Sequence, residues 1–454
     1  MHEAKWRACQ VFWSTFRKRR LDAMPDDAPW TLAPHQLLSA FPEVNVCAPM
    51  VRYSKLPFRA LTARYDTHIT TTPMILAAEF SRSQHARDAD FSTHGEERGT
   101  FTLTPDYGTG TVAPKERSVQ VRGALVCQLA ASRSGPLADA SELISPFVDG
   151  VDINCGCPQP WAYQEQIGSY LLRQPETVRD MVRAIKSRLG DGYCVSVKIR
   201  VDSDLRNTDT LVRNALHAGA SLLSIHGRTR TQPSASHPVD LDKIRFAVDA
   251  AQACGLHTAW GTAQGDAWVV ADGGAGGSVP TVVNGDIWTR DDALAWRART
   301  GARGAMSARG LLANPVRGLL IQALFSGYAK TPPEAVDAFV ERAIAWGLPF
   351  SLMQYVACSF AAAIWPTCLK TRSRHVPSRS TSTRSRAPRV SWTGSRKGGM
   401  CRRTRRGWFR TRAAQTRCRP RARRQCSPTA LASSRPSRSP RMPAWGRPAP
   451  LPAA

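Results

Sequence analysis

From Lys370 to Ala454 the chain contains no aspartate and no glutamate, although the same 85 residues hold 24 lysines and arginines. Of the formal charge of +27, +24 therefore belongs to this stretch. Residues 1 to 369 keep 38 of the 62 basic residues against all 35 acidic ones, which excludes a nucleic-acid footprint spread evenly over the whole body. Other absences narrow the class further. No run of about eighteen apolar residues is free of charge, so no membrane-spanning helix is expected. The N-terminal residues lack an apolar core followed by a small-residue cleavage site, so secretion is not expected either. Twelve cysteines occur, but without a CxxC pair or a zinc-type histidine spacing, so no metal is expected. Most sit inside apolar runs, as reduced thiols of an intracellular, cytoplasmic protein would. The cluster Arg17 to Arg20, with Lys18, suits a localisation signal that adds the nucleus, an RNA contact, or a solvated helix end.

What the chain does have is a rhythm. Short β-like runs fall at Asn45 to Met50, Thr67 to Met74, Ala124 to Ala130, Gly150 to Asn154, Cys194 to Arg200, Ala220 to His226, Pro280 to Asn284 and Gly304 to Ala308. Between most of them lie helical patterns such as Pro175 to Leu189 and Thr208 to Ala218, opened by Asp, Thr or Pro and closed by Gly. Eight strands alternating with helices predict a (β/α)8 TIM barrel over residues 43–315, since each parallel strand returns through a crossover that covers the sheet. Residues 1–42 are read as an N-terminal extension. Two stretches break the rhythm, about 98–122 and 261–279, and are expected as insertions in surface loops, which closure entropy tolerates. Ala267 to Ala271 competes as a strand, but Pro280 to Asn284 is preferred because VNGDI follows.

Residues 316–368 are expected to form a helical segment, with Pro333 and Glu334 at a helix start and apolar Val336, Phe339, Val340, Ile344, Leu348 and Phe350 along it. Residues 369–454 are Arg-, Ser- and Pro-rich and cannot build a packed core. Three readings of that tail stay open: a disordered basic extension, an RNA-binding arm, or an error of coding frame or splice assignment.

The chemistry gathers where the predicted strands end. Gly150 to Pro160, GVDINCGCPQP, carries an apolar run into a glycine-broken turn with two cysteines. On residues alone, Cys157 is open among acid, nucleophile, ligand and packing. The other strand ends supply Pro49, Met50, Val51 and Arg52; Gln128; Asn154; Lys198 and Arg200; His226 and Arg228; Asn284, Gly285 and Asp286; and Ala308 and Arg309. A lone lysine there is usually a surface charge and a lone histidine a satisfied core group. Seven polar ends converging on one rim make a site. The glycine-containing ends of the last two strands suit a phosphate grip, though ordinary turns use the same residues. Lys198 and His226 suit a flavin, whose N1–C2=O edge wants a cation and donors, and Gln128 can donate and accept at its pyrimidine side.

Seven ordered blocks resemble the tRNA-dihydrouridine synthases: CAPMVRYSKLPFRAL (47–61), CQLA (127–130), DINCGCPQPWAYQEQIGSYLL (152–172), SVKIRVD (196–202), SIHGRTR (224–230), VNGDI (283–287) and ARGLLANP (308–315). The likeness spans roughly residues 44–357 and is nearest the eukaryotic branch acting at D-loop positions 20a and 20b. It implies an FMN-dependent reduction of the uracil C5=C6 bond, with NADPH or NADH as reductant, tRNA as partner and a monomeric enzyme. Hydride passes from flavin N5 to C6, and a loop cysteine protonates C5. By motif the donor is Cys157 and not Cys155, and an unperturbed thiol, with a pKa of about 8.5, is mostly protonated at neutral pH. FMN is then held by Pro49, Met50, Val51, Gln128, Lys198, His226, Asn284, Gly285, Asp286, Ala308 and Arg309. Asn154, Arg200, Arg228, Arg52 and Lys55 are the implied substrate contacts. The competing functions are another FMN barrel acting on a small molecule and a non-catalytic RNA-binding protein.

Overall fold

The computed structural model describes residues 29–104, 118–256, 261–264, 267–270, 278–315, 331 and 333–360. The Arg17–Arg20 cluster, the GGAGG run at 273–277 and the basic tail lie outside them. Eight parallel strands close on themselves: β1 (Val44–Cys47), β2 (Ile69–Thr71), β3 (Ala124–Ala130), β4 (Gly150–Cys155), β5 (Cys194–Arg200), β6 (Leu222–His226), β7 (Thr281–Asn284) and β8 (Gly304–Ser307). β1 pairs with β8 and β2, and β2 with β3, so the expected barrel is complete. Helices wrap the strands: α1 (Leu56–Ala63), α2 (Ala77–Arg82), α3 (Ser134–Ile144), α4 (Pro175–Leu189), α5 (Leu205–His217), α6 (Leu241–Gln252), α7 (Arg290–Thr300) and the short α8 (Arg309–Ala313). Strands covered on both faces must be apolar almost throughout, and every residue of β3 and β4 is buried.

The few polar residues on these strands recur at period two, which puts them on one face. Register then groups them. Gln128 pairs with Asp152 and Asp152 with Ser196 in one layer; Asn154 pairs with Lys198 in the next; Arg200, His226 and Asn284 are neighbours in a third. Several strands are shorter than the sequence suggests. β1 stops at Cys47 because Pro49 offers no N–H and the Met50 N–H turns to Ser54 Oγ at 3.0 Å.

The N-terminal ends of the strands are sealed by segments outside the repeat. Trp30–Thr31 pairs with Val119–Arg122, which forms a hairpin with Thr100–Leu103. Leu37, Leu38, Phe41 and Val121 pack there on Val44, Ala124, Leu222 and Val282. The 98–122 stretch, expected as a surface loop, thus contributes buried side chains, while 105–117 lie outside the described residues. Gly261–Gln264 and Ala267–Val270 pair antiparallel as a separate hairpin ahead of β7.

Two further helices, α9 (Pro333–Ala345) and α10 (Phe350–Phe360), cover the β1–α1 side. Phe339 and Phe360 pack with Phe58, Leu61 and Cys47, with the Phe339 and Phe360 rings edge-to-face at 5.3 Å. Ile344 and Phe350, expected on the apolar face, are instead exposed. Beside them α1 is anchored by an ion pair inside the protein. Arg59 and Glu97 meet at 2.5 Å with both side chains almost wholly buried. Arg59 also donates to Ser54 O and Ser92 O, each at 2.7 Å, and Glu97 accepts from the His94 N–H at 3.0 Å. Removing one partner leaves a buried charge alone, so Glu97→Ala should destabilise the fold by about 3 to 5 kcal/mol. Denaturant unfolding checks this, and a loss under about 1 kcal/mol contradicts it.

Candidate active site

β4 delivers two thiols to different environments. Cys155 is the last strand residue and fully buried, and burial pushes its thiol far up, so it packs. Cys157 lies two residues on, half-buried against Ala130, Ala162, Ile167 and Met74. Its loop is fixed by Asn154, whose Oδ1 accepts from the N–H of Gly156 at 3.0 Å and of Cys157 at 2.9 Å, an Asx turn. The Asn154 amide donates to Gln128 Oε1 at 2.7 Å, and Gln128 Nε2 donates to Asp152 Oδ2 at 2.8 Å. Ser196 Oγ donates to the other Asp152 oxygen. From the far side Gly168, at φ +64°, leaves space that a side chain would fill: a Cβ there would stand 2.8 Å from both Cys157 Cβ and Cys157 O. The Ser169 N–H donates to Cys157 O at 3.0 Å, and Arg200 Nε to Gly156 O at 2.8 Å.

Cations line the adjoining strand ends. Lys198 Nζ donates to Asn284 Oδ1 at 3.0 Å, leaving two of its three N–H groups for an incoming acceptor. Burial brings it down to about 8, with Asp152 opposing and Arg200 adding to the fall. Arg200 is lowered to about 10, first by burial and then by Arg228. His226 is held well below its ordinary value by burial, then by Lys198, Arg200, Arg228 and Arg309, so its ring is neutral. Arg228 is 1 % exposed. It donates to His237 O at 2.7 Å, contacts His226 Nε2 at 3.2 Å and pairs with Asp286. Asp286 also accepts from the Val239 N–H at 2.9 Å and from Arg309 at 2.7 Å, and Arg309 lies over the Trp288 ring at 5.0 Å.

The residues expected at a flavin thus come together, but in two ranks. Met50 and Pro49 are half-buried and Val51 is exposed beyond β1; with Lys198, His226 and Arg309 they combine an apolar wall with cationic and donor groups, which fits a planar anionic cofactor. Gly285, at φ +123°, could not carry a Cβ without meeting Val239 at 2.8 Å and His226 at 3.0 Å. Ala308 caps α8 beside it. Gln128 and Asp286 stand behind, their polar atoms taken by neighbouring residues. Of the expected substrate contacts, Arg52 is exposed at φ +73° with its guanidinium 6.0 Å from the Tyr355 ring. Lys55 donates to Ala89 O and Asp90 O, both at 3.4 Å. Arg200, Arg228 and Asn154 are engaged internally.

Sequence reasoning passed over Asp152, Ser196, Gly168 and the contact of Arg230 with the Tyr163 ring at 4.4 Å. A carboxylate inside an apolar strand was the available signal for the first.

Residues 46–249 and 275–344 match the family described as dihydrouridine synthase (Dus). This chain belongs to the dihydrouridine synthase family. The interval between the matched blocks contains the Gly261–Val270 hairpin, an addition to the family pattern. A Schizosaccharomyces pombe protein named tRNA-dihydrouridine(20a/20b) synthase, NAD(P)+, is 38% identical over 312 residues, covering 69% of this chain and 77% of the relative. A Homo sapiens protein named as like that synthase is 36% identical, with 68% and 78% covered. The Saccharomyces cerevisiae synthase of the same name is 34% identical, with 69% and 70% covered.

In this dihydrouridine synthase the Asn154 turn sets where the Cys157 thiol stands. Misplacing a reacting group by about 1 Å can lower a rate about a hundredfold. Asn154→Ala should therefore lower kcat by up to about that factor while bound-cofactor absorbance is kept. A kcat within about twofold of wild type would show that the turn is held by other bonds.

Proposed function

We propose that this chain is a tRNA-dihydrouridine synthase that reduces the C5=C6 bond of uridine at D-loop positions 20a and 20b, using FMN and NAD(P)H, with Cys157 as the proton donor. The observation that carries the reading is the Cys157 loop, held by Asn154 at the mouth of a barrel whose neighbouring strand ends bear Lys198, Arg200 and His226. Family membership supplies the reaction class, and the names of the relatives supply the tRNA positions and the reductant.

Pro49, Met50, Val51, Lys198, His226, Asn284, Gly285, Ala308 and Arg309 would hold FMN, with Gln128 and Asp286 setting the groups in front of them. When bound, FMN supplies the hydride, drawn from NAD(P)H, that goes to C6 of the uracil. The remaining work belongs to the chain. The target base must leave the tRNA stack to reach a barrel mouth. Cys157 gives its proton to C5 as the π electrons of C5=C6 form the new C–H bond. The thiolate left behind faces Lys198 and Arg200, whose charged forms a negative Cys157 favours, and it recovers a proton from solvent. The balance is uridine, NAD(P)H and one proton to dihydrouridine and NAD(P)+.

Cys157→Ala should abolish dihydrouridine formation in tRNA while FMN stays bound, and Cys155→Ala should keep activity because that thiol only packs. Unchanged dihydrouridine in tRNA from cells that rely on the Cys157→Ala enzyme would refute the assignment. Lys198 is an ammonium below about 8 and loses its proton above it. Affinity for an anionic cofactor edge should then fall as pH rises from 7 to 9, by up to about tenfold for one charge-assisted hydrogen bond. Titration of the apoprotein with FMN, followed by flavin fluorescence, measures this; Lys198→Met should flatten the dependence.

A further inference from the structure

We infer that Arg228 is a positioning residue, not an RNA contact: it locks His226 as the Nδ1–H tautomer, so that the nitrogen left for the cofactor is always a hydrogen-bond donor. The inference deepens the proposed function and rests on its assignment of His226 to the FMN site.

The argument is one of donors and lone pairs. A guanidinium carries five N–H groups and no acceptor. Arg228 Nη1 and His226 Nε2 stand 3.2 Å apart, so Nε2 must offer its lone pair. A neutral imidazole has one proton, which then resides on Nδ1; an imidazolium, with a proton on both nitrogens, would set N–H against N–H.

Arg228 has no freedom to turn away. Its Nε donates to His237 O at 2.7 Å, its Nη2 pairs with Asp286, and it is 1 % exposed. Asp286 is itself held by the Val239 N–H at 2.9 Å and Arg309 at 2.7 Å. The histidine is fixed on the same edge, since a Cβ on Gly285 would lie 3.0 Å from His226 Cδ2 and 3.3 Å from Nε2. With the Nε2–Cδ2 edge occupied by Arg228 and the glycine turn, Nδ1 is the ring nitrogen without a hydrogen-bond partner among the described residues. The surrounding cations act in the same sense, because Lys198, Arg200, Arg228 and Arg309 all disfavour a charged ring.

The consequence is a selection rule. A fixed N–H donor accepts a carbonyl or anionic edge, such as that of a flavin pyrimidine ring, and leaves a donor edge unpaired. It also explains why a buried arginine sits beside a site already rich in cations: an uncharged donor there needs its tautomer set by something that can only donate.

The test is 15N NMR of the full chain labelled in histidine, with and without FMN, the His226 signals being assigned by their loss in His226→Gln. The expected wild-type result is a pyridine-type Nε2 and a pyrrole-type Nδ1 in both states. Arg228→Met should shift the ring toward a mixture of tautomers and weaken FMN binding about tenfold, with KM for tRNA unchanged at saturating FMN. Arg228→Lys, whose ammonium also only donates, should restore the wild-type pattern in part. A proton on Nε2 in the wild-type enzyme overturns the inference, and this needs no variant to fold. So does an Arg228→Met enzyme whose tautomer is intact and whose tRNA KM rises, the signature of an RNA contact. If the tautomer is as expected but His226→Gln leaves FMN affinity unchanged, the cofactor assignment falls, distinguishable from failure of the tautomer lock itself.

Discussion

A carboxylate buried inside a closed barrel is stripped of most of its hydration, and the arrangement of the mouth follows from how Asp152 is satisfied. Burial pushes its acid up, against the pull of Ser196, Gln128 and Lys198. Ser196 and Gln128 come from the strands on either side, in register with Asp152, so its hydrogen bonds also tie β3, β4 and β5 at one level. Because Gln128 donates to Asp152, its carbonyl is turned to Asn154, and Asn154 is left with an oxygen for the amides of Gly156 and Cys157. The position of the thiol is thus set from the strands on either side of its own. A buried network of this kind holds geometry only when every member is satisfied, and here each amide end has its partner.

The cations at the rim obey the same logic. Arg200, Arg228 and Lys55 look like an RNA surface when counted, yet each donates to the protein itself: Arg200 to Gly156 O and Thr229 O, Arg228 to His237 O and Asp286, Lys55 to Ala89 O and Asp90 O. Groups already oriented in this way need little reorganisation when charge develops beside them. Arg200 in addition bridges the Cys157 loop to the loop after β6, and Arg230 lies over Tyr163 across the same gap. Arg200 and Arg230 therefore brace the Cys157 loop, and only Arg52, among the expected substrate contacts, is exposed without a hydrogen-bonded protein partner among the described residues.

The barrel was legible because its signals are local: apolar runs of strand length alternating with 3.6-periodic helices, each closed by a turn. The positions of Cys157, Lys198 and His226 at strand ends followed from the same pattern. What could not be read was direction. Gln128 at the end of an apolar run offers the same amide to a ligand or to a neighbour, and only the register, a non-local quantity, turns it to Asp152 and Asn154. Arg228 reads as a substrate contact because burial of an arginine depends on partners outside its own motif, at His237 nine residues on and at Asp286 beyond the next strand. Gly168 was missed because the space it leaves belongs to Cys157, eleven residues earlier. The sealing of the barrel floor by Trp30 to Phe41 and by Val121 is likewise a matter of long-range packing, invisible to a window of fifteen residues.

The turn after β1 joins the site to the last described helices. Met50 and Tyr53 belong to the same apolar cluster as Phe339 and Phe360, so the wall proposed for FMN is backed by α9 and α10. Arg52 sits one residue beyond Val51 in the left-handed region, at φ +73°. For a residue with a Cβ such a backbone costs of order 1 kcal/mol or more and persists only where its surroundings enforce it. The turn around it is closed by the Met50 N–H to Ser54 Oγ bond and by the N–H groups of Tyr53 and Ser54 donating to Met50 O at 3.1 and 3.0 Å, while Tyr355 of α10 has its ring 6.0 Å from the guanidinium. The turn that carries Arg52 thus lies between the barrel and α10, and a change in how α10 packs on Phe58 bears on the Met50–Tyr53 turn and on this arginine together.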